Sequence, residues 1–179
     1  MKKGAAMWTA TVTSIAFILY LWLVVKILLF KFGPIEWKAL FASMSLSLSH
    51  PELIWERLLI RGNLIPFHEI RNYLANMSEG VRIVNFIGNV LAFLPFGFLL
   101  PFLHMQKDRS FWKTAILSFL FSLCLEAAQL IASIGIFDVD DLLLNTTGGM
   151  LGYIGYKLCR LVLVYRPQKS NVVQERTVH

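Results

Sequence analysis

Charged residues are scarce in this chain, and long stretches lack them almost entirely. Only 16% of the 179 residues are Asp, Glu, Lys or Arg, while 56% are hydrophobic; a soluble domain carries about 25% charged residues. The two cysteines, Cys124 and Cys159, both fall in apolar runs, so neither a disulfide framework nor a zinc cluster is indicated. No internal repeat or low-complexity linker stands out. The composition therefore indicates a membrane protein and argues against an ordinary soluble domain.

Four apolar runs are long enough to cross a bilayer, which takes about 20 helical residues. The first run contains one charge, Lys26, and no small-residue cleavage site follows it, so we predict a membrane anchor rather than a signal peptide. The predicted fold is all-α: a polytopic bundle of about four transmembrane helices in one domain, residues 1–166, followed by a polar cytoplasmic tail, 167–179. The predicted helices are about 8–30, 84–104, 112–133 and 142–164.

The distribution of Lys and Arg predicts the orientation of this bundle. With the N-terminus inside, the cytoplasmic segments carry ten basic and two acidic residues, and the outer segments carry six basic and eight acidic residues. Both termini are therefore predicted to be cytoplasmic. The net charge of +6 then has a topological cause, which argues against nucleic acid as a partner.

The one long connection joins the first two predicted spans, and we predict that it forms a helical outer loop. Within it, "HPELIWERLL" (50–59) is typical of a short amphipathic helix, with Ser49 as N-cap and Pro51 in the first turn. Its apolar residues, including Trp55, either lie along the bilayer surface or pack as in an ordinary helix.

The third predicted helix carries a polar stripe that a lipid-facing surface would exclude. The stripe recurs at spacings of three and four, so it occupies one helix face: Ser118, Ser122, Glu126, Gln129 and Ser133. A charge at the centre of a spanning helix costs roughly 2.5–3.5 kcal/mol on insertion scales, so Glu126 needs partners on other helices. Two interpretations of Glu126 follow: a buried residue that links the bundle through hydrogen bonds, or, as we favour, a binding or catalytic residue.

Polar groups also occur near the outer ends of the second and fourth predicted helices. Asn85 and Asn89 lie one turn apart on the second helix. Asp140 or Asp141 is predicted to cap the fourth helix, and Asn145 follows one turn deeper. Further along the second helix, Pro95 is predicted to produce a kink. The fourth helix continues with a face of small residues predicted to pack closely against a neighbour: Gly148, Gly149, Gly152 and Gly155.

Because three helices place polar groups at one depth, we predict a shared, outward-facing polar pocket. No metal or other cofactor is part of this prediction, and Glu126 is the one candidate for a catalytic residue. The predicted ligand-binding residues are Asn85, Asn89, Glu126, Gln129, Asp138, Asp140, Asp141 and Asn145.

Four segments, in this order along the chain, resemble the VanZ-like family. They are "RGNLIPFHEIRNY" (61–73), "NFIGNVLAFLPFGFLLP" (85–101), "SLCLEAAQL" (122–130) and "FDVDDLLLNTTGGMLGY" (137–153). The resemblance covers about half of the chain, and the first helix matches it only in hydrophobicity. It implies a small multi-pass protein of the bacterial cytoplasmic membrane that is linked to resistance against lipid-tailed glycopeptides such as teicoplanin. It implies no established catalytic residues.

Three functions are compatible with these features. The favoured one is a non-enzymatic resistance factor whose pocket binds a membrane lipid, a lipid-linked cell-wall precursor or the glycopeptide antibiotic itself. The second is an intramembrane enzyme acting on a lipid-linked wall intermediate, with Glu126 as general acid or base and a divalent cation held by Asp138, Asp140 and Asp141. The third is a transporter or flippase subunit, for which a bundle of this size would have to form a homodimer.

Overall fold

The structure, a computed structural model, describes residues 2–30, 35–75, 80–103 and 110–164. These residues form an all-helical protein, as predicted, with one isolated parallel bridge between Asn63 and Asp138. The predicted tail, 167–179, lies outside them. The α-helices are α1 (Lys2–Phe30), α2 (Trp37–Ser49), α3 (Pro51–Glu56), α4 (His68–Ala75), α5 (Gly80–Leu99), α6 (Phe111–Ala132) and α7 (Val139–Val164). A π-helix, Arg57–Arg61, continues α3, and a 3-10 turn, Leu100–Leu103, follows α5.

Within the described ranges, three helical segments are long and apolar enough to cross a membrane: Thr11–Phe30, Val84–Leu103 and Phe111–Ala132. They correspond to the first three predicted spans. Helix α7 is 26 residues long, but its amide, hydroxyl and glycine residues lower its apolar content, and it is not among the three. The exposure of its side chains varies: Asn145 is 2% exposed, whereas Leu151, Ile154 and Leu158 on later turns are exposed. Exposure here means exposure to lipid or to water.

Helices α5 and α7 pack backbone against backbone along glycines. A Cβ atom at Gly148 would overlap the carbonyl oxygen of Val90, and one at Gly152 would overlap that of Leu94. The contact is reciprocal, because a Cβ at Gly97 would overlap the carbonyl oxygen of Gly149. The prediction of a close-packed small-residue face is thereby confirmed for these α7 glycines. Gly155 differs, since its nearest neighbour would be an ordinary side-chain contact at 3.8 Å.

An aromatic cluster joins α1, α5 and α6. The rings of Phe96 and Phe121 stack with centroids 5.3 Å apart, and Phe17 of α1 packs on Phe96 at 5.7 Å. Phe93, which is fully buried, completes the cluster against Phe121 at 5.4 Å. Tyr20 also ties α1 to α5, because its hydroxyl donates to the carbonyl oxygen of Ala92 at 2.6 Å. Such aromatic pairs stabilise a fold beyond the area they bury.

Two predicted helix starts differ from the structure. Helix α7 begins at Val139, because Asp138 rather than Asp140 or Asp141 caps it: the Asp138 Oδ1 accepts the backbone N–H of Asp140 at 2.8 Å. Ser49 is the last residue of α2 and does not cap α3, whose N-cap position is His50. The predicted role of Pro51 in the first turn of α3 is confirmed.

Candidate functional site

The connection between α6 and α7 is shaped by the way α6 ends. Ser133 adopts a left-handed conformation, with φ 57°, and its N–H donates to the carbonyl oxygen of Leu130. The N–H of Ile134 then reaches back to the carbonyl oxygen of Gln129 at 3.1 Å. This pair of bonds is a Schellman motif, which satisfies the last carbonyls of a helix and turns the chain sharply. The turn directs residues 134–138 back across the end of the bundle.

The loop before α4 pairs with this connection as a short parallel bridge. The N–H of Asn63 donates to the carbonyl oxygen of Phe137, and the N–H of Val139 donates to the carbonyl oxygen of Asn63, both at 2.9 Å. The Asn63 side chain adds a third bond, from Nδ2 to the Asp138 Oδ1 at 2.7 Å. Residues about 75 positions apart in sequence are thus held in fixed register.

The Asp140 carboxylate is fully buried and holds the start of α4. Its Oδ2 accepts the N–H groups of Glu69 and Ile70 at 2.7 and 3.0 Å, and its Oδ1 accepts the N–H of Phe67. The first N–H groups of a helix lack internal partners and carry partial positive charge. Asp140 therefore supplies, from a distant segment, the cap that α4 does not provide for itself. Phe67 reaches this position with φ 66°, an unfavourable conformation for a bulky residue.

Glu126 lies directly beneath the connection. It is 4% exposed, and its Oε2 accepts the backbone N–H of Asp138 at 2.9 Å. On α5, Asn89 is 8% exposed and donates through Nδ2 to the Asp141 Oδ1. Helices α5, α6 and α7 therefore each contribute a buried polar side chain at the end of the bundle where α4 packs.

One turn deeper, Asn145 and Ser122 join α7 to α6. The Asn145 Nδ2 lies 2.9 Å from the Ser122 Oγ. The amide oxygen of Asn145, equally buried, has no hydrogen-bond partner among the described residues. Exchanging the amide oxygen and nitrogen would only move the unpaired end, since Ser122 can either donate or accept. Each of the two lies one helical turn from an acidic residue. Asn145 follows Asp141 on α7, and Ser122 precedes Glu126 on α6.

The acidic residues at this end influence one another. Burial raises the pKa of Asp138 above its usual value, and the negative charges of Asp140 and Glu69 raise it further, against the opposing effect of its hydrogen bonds. Tyr73 of α4 senses the same cluster: burial and then the carboxylates, Asp141 first, raise the pKa of its phenol to about 12. The end of the bundle is therefore acidic and partly shielded from water.

Two predicted site residues are placed differently from the rest. Gln129 is buried but turns toward α1, where its Nε2 donates to the carbonyl oxygen of Leu28 at 2.9 Å. Asn85 has an exposed side chain, one turn from Asn89 toward the start of α5. The structure thus brings together six of the predicted residues: Asn89, Glu126, Asp138, Asp140, Asp141 and Asn145.

The three aspartates do not converge on one point. Asp140 faces the start of α4, Asp138 faces Asn63, and Asp141 faces Asn89. In the part of the chain that the structure describes, no group of three or more His, Cys, Asp or Glu side chains is arranged to hold a metal ion. The hydrogen bonds of these carboxylates hold separate segments of the chain together.

Asn63, Glu69 and Tyr73 are the residues at this site that residue-level reasoning missed. All three lie in "RGNLIPFHEIRNY" (61–73), which served only to support the family resemblance. The signal available in the sequence was an Asn and a Glu in a polar loop far from the aspartates. Nothing in their local spacing indicates which distant segment they contact.

Comparison with known proteins agrees with this arrangement of motifs. The model of the family described as VanZ/LLP1 matches residues 17–160. A curated relative, Protein VanZ from Enterococcus faecium, is 30% identical over an alignment of 139 residues, and the match covers 64% of this chain and 85% of that protein. No solved structure matches the chain. Since the family match includes α5, α6, α7 and the segment that packs on them, the chain belongs to the VanZ/LLP1 family.

Proposed function

We propose that α7 is a fourth transmembrane helix. Its 26 residues would extend about 39 Å, enough for a bilayer core of about 30 Å. Among its polar and glycine residues, Asn145, Gly148, Gly149 and Gly152 are buried, so these four need not meet lipid. The side chains left exposed on the second half of the helix are mostly apolar, among them Leu158, Leu161 and Val162.

We further propose that the acidic end faces outward, with both termini in the cytoplasm, as the Lys and Arg distribution predicts. Single cysteines in a chain with Cys124 and Cys159 replaced by alanine test this in intact cells. His50→Cys lies at the exposed junction of α2 and α3, and Ser110→Cys lies at the exposed start of α6. An impermeant thiol reagent should label the first and spare the second. The reverse pattern would overturn the orientation.

The proposed activity is protection against lipid-tailed glycopeptide antibiotics such as teicoplanin, through binding of the drug or of a lipid-linked ligand in an outward-facing polar pocket. The observation that supports it is that α6 and α7 place Glu126, Asp141 and Asn145 at the same end of the bundle, with Glu126 and Asn145 buried. A buried polar atom without a partner costs about 1–3 kcal/mol, so the Asn145 amide favours a ligand that can hydrogen-bond to it. The choice of teicoplanin as the drug rests on the family resemblance and not on the chemistry of these residues.

The test is resistance conferred by variants at equal membrane abundance, because a loss of packing also lowers protein level. Glu126→Gln keeps the shape and an oxygen for the Asp138 N–H while it removes the charge. We expect resistance to teicoplanin to fall about tenfold, which corresponds to about 1.4 kcal/mol in binding. Gln129→Met is the matched control: it removes a buried amide one turn away on α6, but that amide contacts α1 instead of the acidic cluster. It should keep resistance once abundance is equalised.

Unchanged resistance in Glu126→Gln would contradict the proposed pocket. Vancomycin, which lacks the acyl tail, provides the second comparison: the unsubstituted protein should protect much less against it. Equal protection against both drugs would favour the alternative in which the chain acts as an intramembrane enzyme on a lipid-linked cell-wall intermediate. In that case the loss in Glu126→Gln would reflect catalysis.

A further inference from the structure

Helix α2 exposes an apolar stripe that the rest of the described chain leaves uncovered. Trp37, Phe41 and Leu48 lie on one helix face, at positions i, i+4 and i+11, and are 58%, 64% and 66% exposed. Large apolar side chains grouped in this way mark an interaction surface. The helix has 13 residues and is about 20 Å long, too short to cross a bilayer.

The other faces of α2 show which environment each one meets. The face opposite the exposed side packs against α6, and Ser47 there is fully buried. A polar strip of Lys38, Ser45 and Ser49 runs beside the apolar stripe and is also exposed. A packed face, an apolar stripe and a polar strip on one helix is the arrangement of a helix lying at a membrane surface. Leu46 on the remaining side, 50% exposed, departs from the pattern.

Contacts with α6 relate the C-terminal end of α2 to the end of a predicted span. The Arg57 guanidinium donates to the Ser47 Oγ at 2.7 Å and to the carbonyl oxygen of Leu130 at 3.4 Å. Leu130 belongs to the last turn of the apolar span Phe111–Ala132. The end of α2 therefore lies at the boundary of the bilayer, level with the end of a spanning helix. Tryptophan is typical of this boundary, and Trp37 of α2 and Trp55 of α3 are exposed, at 58% and 62%.

We infer that α2 is an interfacial helix whose Trp37, Phe41 and Leu48 insert among the lipid acyl chains of the leaflet at the C-terminal end of α6, with Lys38, Ser45 and Ser49 facing the head groups. The occupant of the stripe is lipid because the stripe adjoins the end of a membrane span. The segment between α1 and α5 is then partly a membrane element and not a loop in water.

Spin labels at single cysteines test this in the full chain, with Cys124 and Cys159 replaced by alanine. The protein is reconstituted in vesicles of phosphatidylcholine and phosphatidylglycerol. Oxygen, which concentrates in lipid, and a water-soluble nickel chelate relax the label in proportion to its accessibility. Labels at Leu48→Cys and Phe41→Cys should be more accessible to oxygen, and a label at the matched control Ser45→Cys should be more accessible to nickel. All three positions are exposed, so packing is spared.

Nickel accessibility at Leu48 and Phe41 equal to that at Ser45 would place the stripe in water and overturn the inference. Protection of both positions from both reagents would also overturn it, since a second copy of the chain or another protein would then cover the stripe. Using two apolar positions keeps the test valid if one variant fails to fold. The result does not depend on the resistance assay, so this inference and the proposed function can fail separately.

Discussion

The α5–α7 contact and the acidic end above it are neighbouring regions held together in different ways. Along the contact, glycines of one helix lie against backbone carbonyl groups of the other. At the acidic end, carboxylates accept hydrogen bonds from backbone N–H groups and from asparagine side chains of other segments. We therefore expect the first region to resist added volume where a glycine meets a backbone carbonyl, and the second to resist changes in its hydrogen-bonding pattern. The difference predicts which substitutions each region will resist.

The largest effect is expected where the α5–α7 contact is widened. Gly152→Ala places a Cβ against the carbonyl of Leu94 and the backbone of Phe98, which cannot rotate away. We expect a loss of about 3 kcal/mol or more, the upper range for overpacking, and a fall in Tm of about 6–12 °C for a chain of this size. Thermal unfolding in detergent, followed by circular dichroism, measures it.

Gly155→Ala is the matched control on the same helix. Its Cβ would meet only the Phe98 ring at 3.8 Å. Alanine is favoured over glycine in a helix by up to about 1 kcal/mol, so Tm should stay the same or rise. Equal losses in both variants would mean that the penalty is not a matter of backbone contact.

A smaller loss of stability is expected at the acidic end, and it should differ between substitutions of Asp140 and Asp138. Asp140→Asn puts an NH₂ group in place of an oxygen that accepts backbone N–H groups, so at least one of the N–H groups of Phe67, Glu69 and Ile70 loses its acceptor. We expect a loss of about 2–3 kcal/mol. Asp138→Asn keeps the oxygen that accepts from Asn63 and Asp140, and asparagine caps a helix as well as aspartate does. Its loss should stay below about 1 kcal/mol in the same assay.

A reversed order, with Asp138→Asn the more damaging, would contradict the assignment of Asp140 as the residue that holds α4. Equal and large losses would instead indicate that the negative charge of the cluster matters more than its hydrogen bonds.

The smallest predicted effect is a pH dependence at Asp138. Its folded-state pKa is raised by burial, so the charged form is disfavoured in the folded protein. Below the ordinary aspartate pKa, Asp138 is protonated in both the folded and the unfolded protein and costs no stability. As pH rises from that value to the raised folded-state pKa, the free energy of unfolding falls. Over that interval Tm should fall more in the unsubstituted protein than in Asp138→Asn. Parallel curves would show that Asp138 does not titrate as its surroundings predict.

Much of the fold could be predicted from the local pattern of apolar and polar residues. Three of the predicted helices match, to within a few residues, the segments that are long and apolar enough to cross a membrane, because apolar content over about 20 residues is a property of one segment. The polar stripe of α6 is buried as far as Gln129, since residues three and four apart share a helix face. Ser133 departs because it begins the turn that ends the helix.

The sequence by itself determined that the chain is helical and has segments apolar enough to cross a membrane. It also predicted that polar residues of three helices share one level. Only the tertiary structure decided what those residues contact. Asp140 holds α4, Asp138 caps α7, and Gln129 binds α1 instead of the acidic cluster. The physical reason is the separation along the sequence. Helix periodicity and hydropathy are properties of one segment. Except for the local cap at Asp138, these hydrogen bonds join groups 70 or more positions apart. Their geometry exists only after the helices have packed.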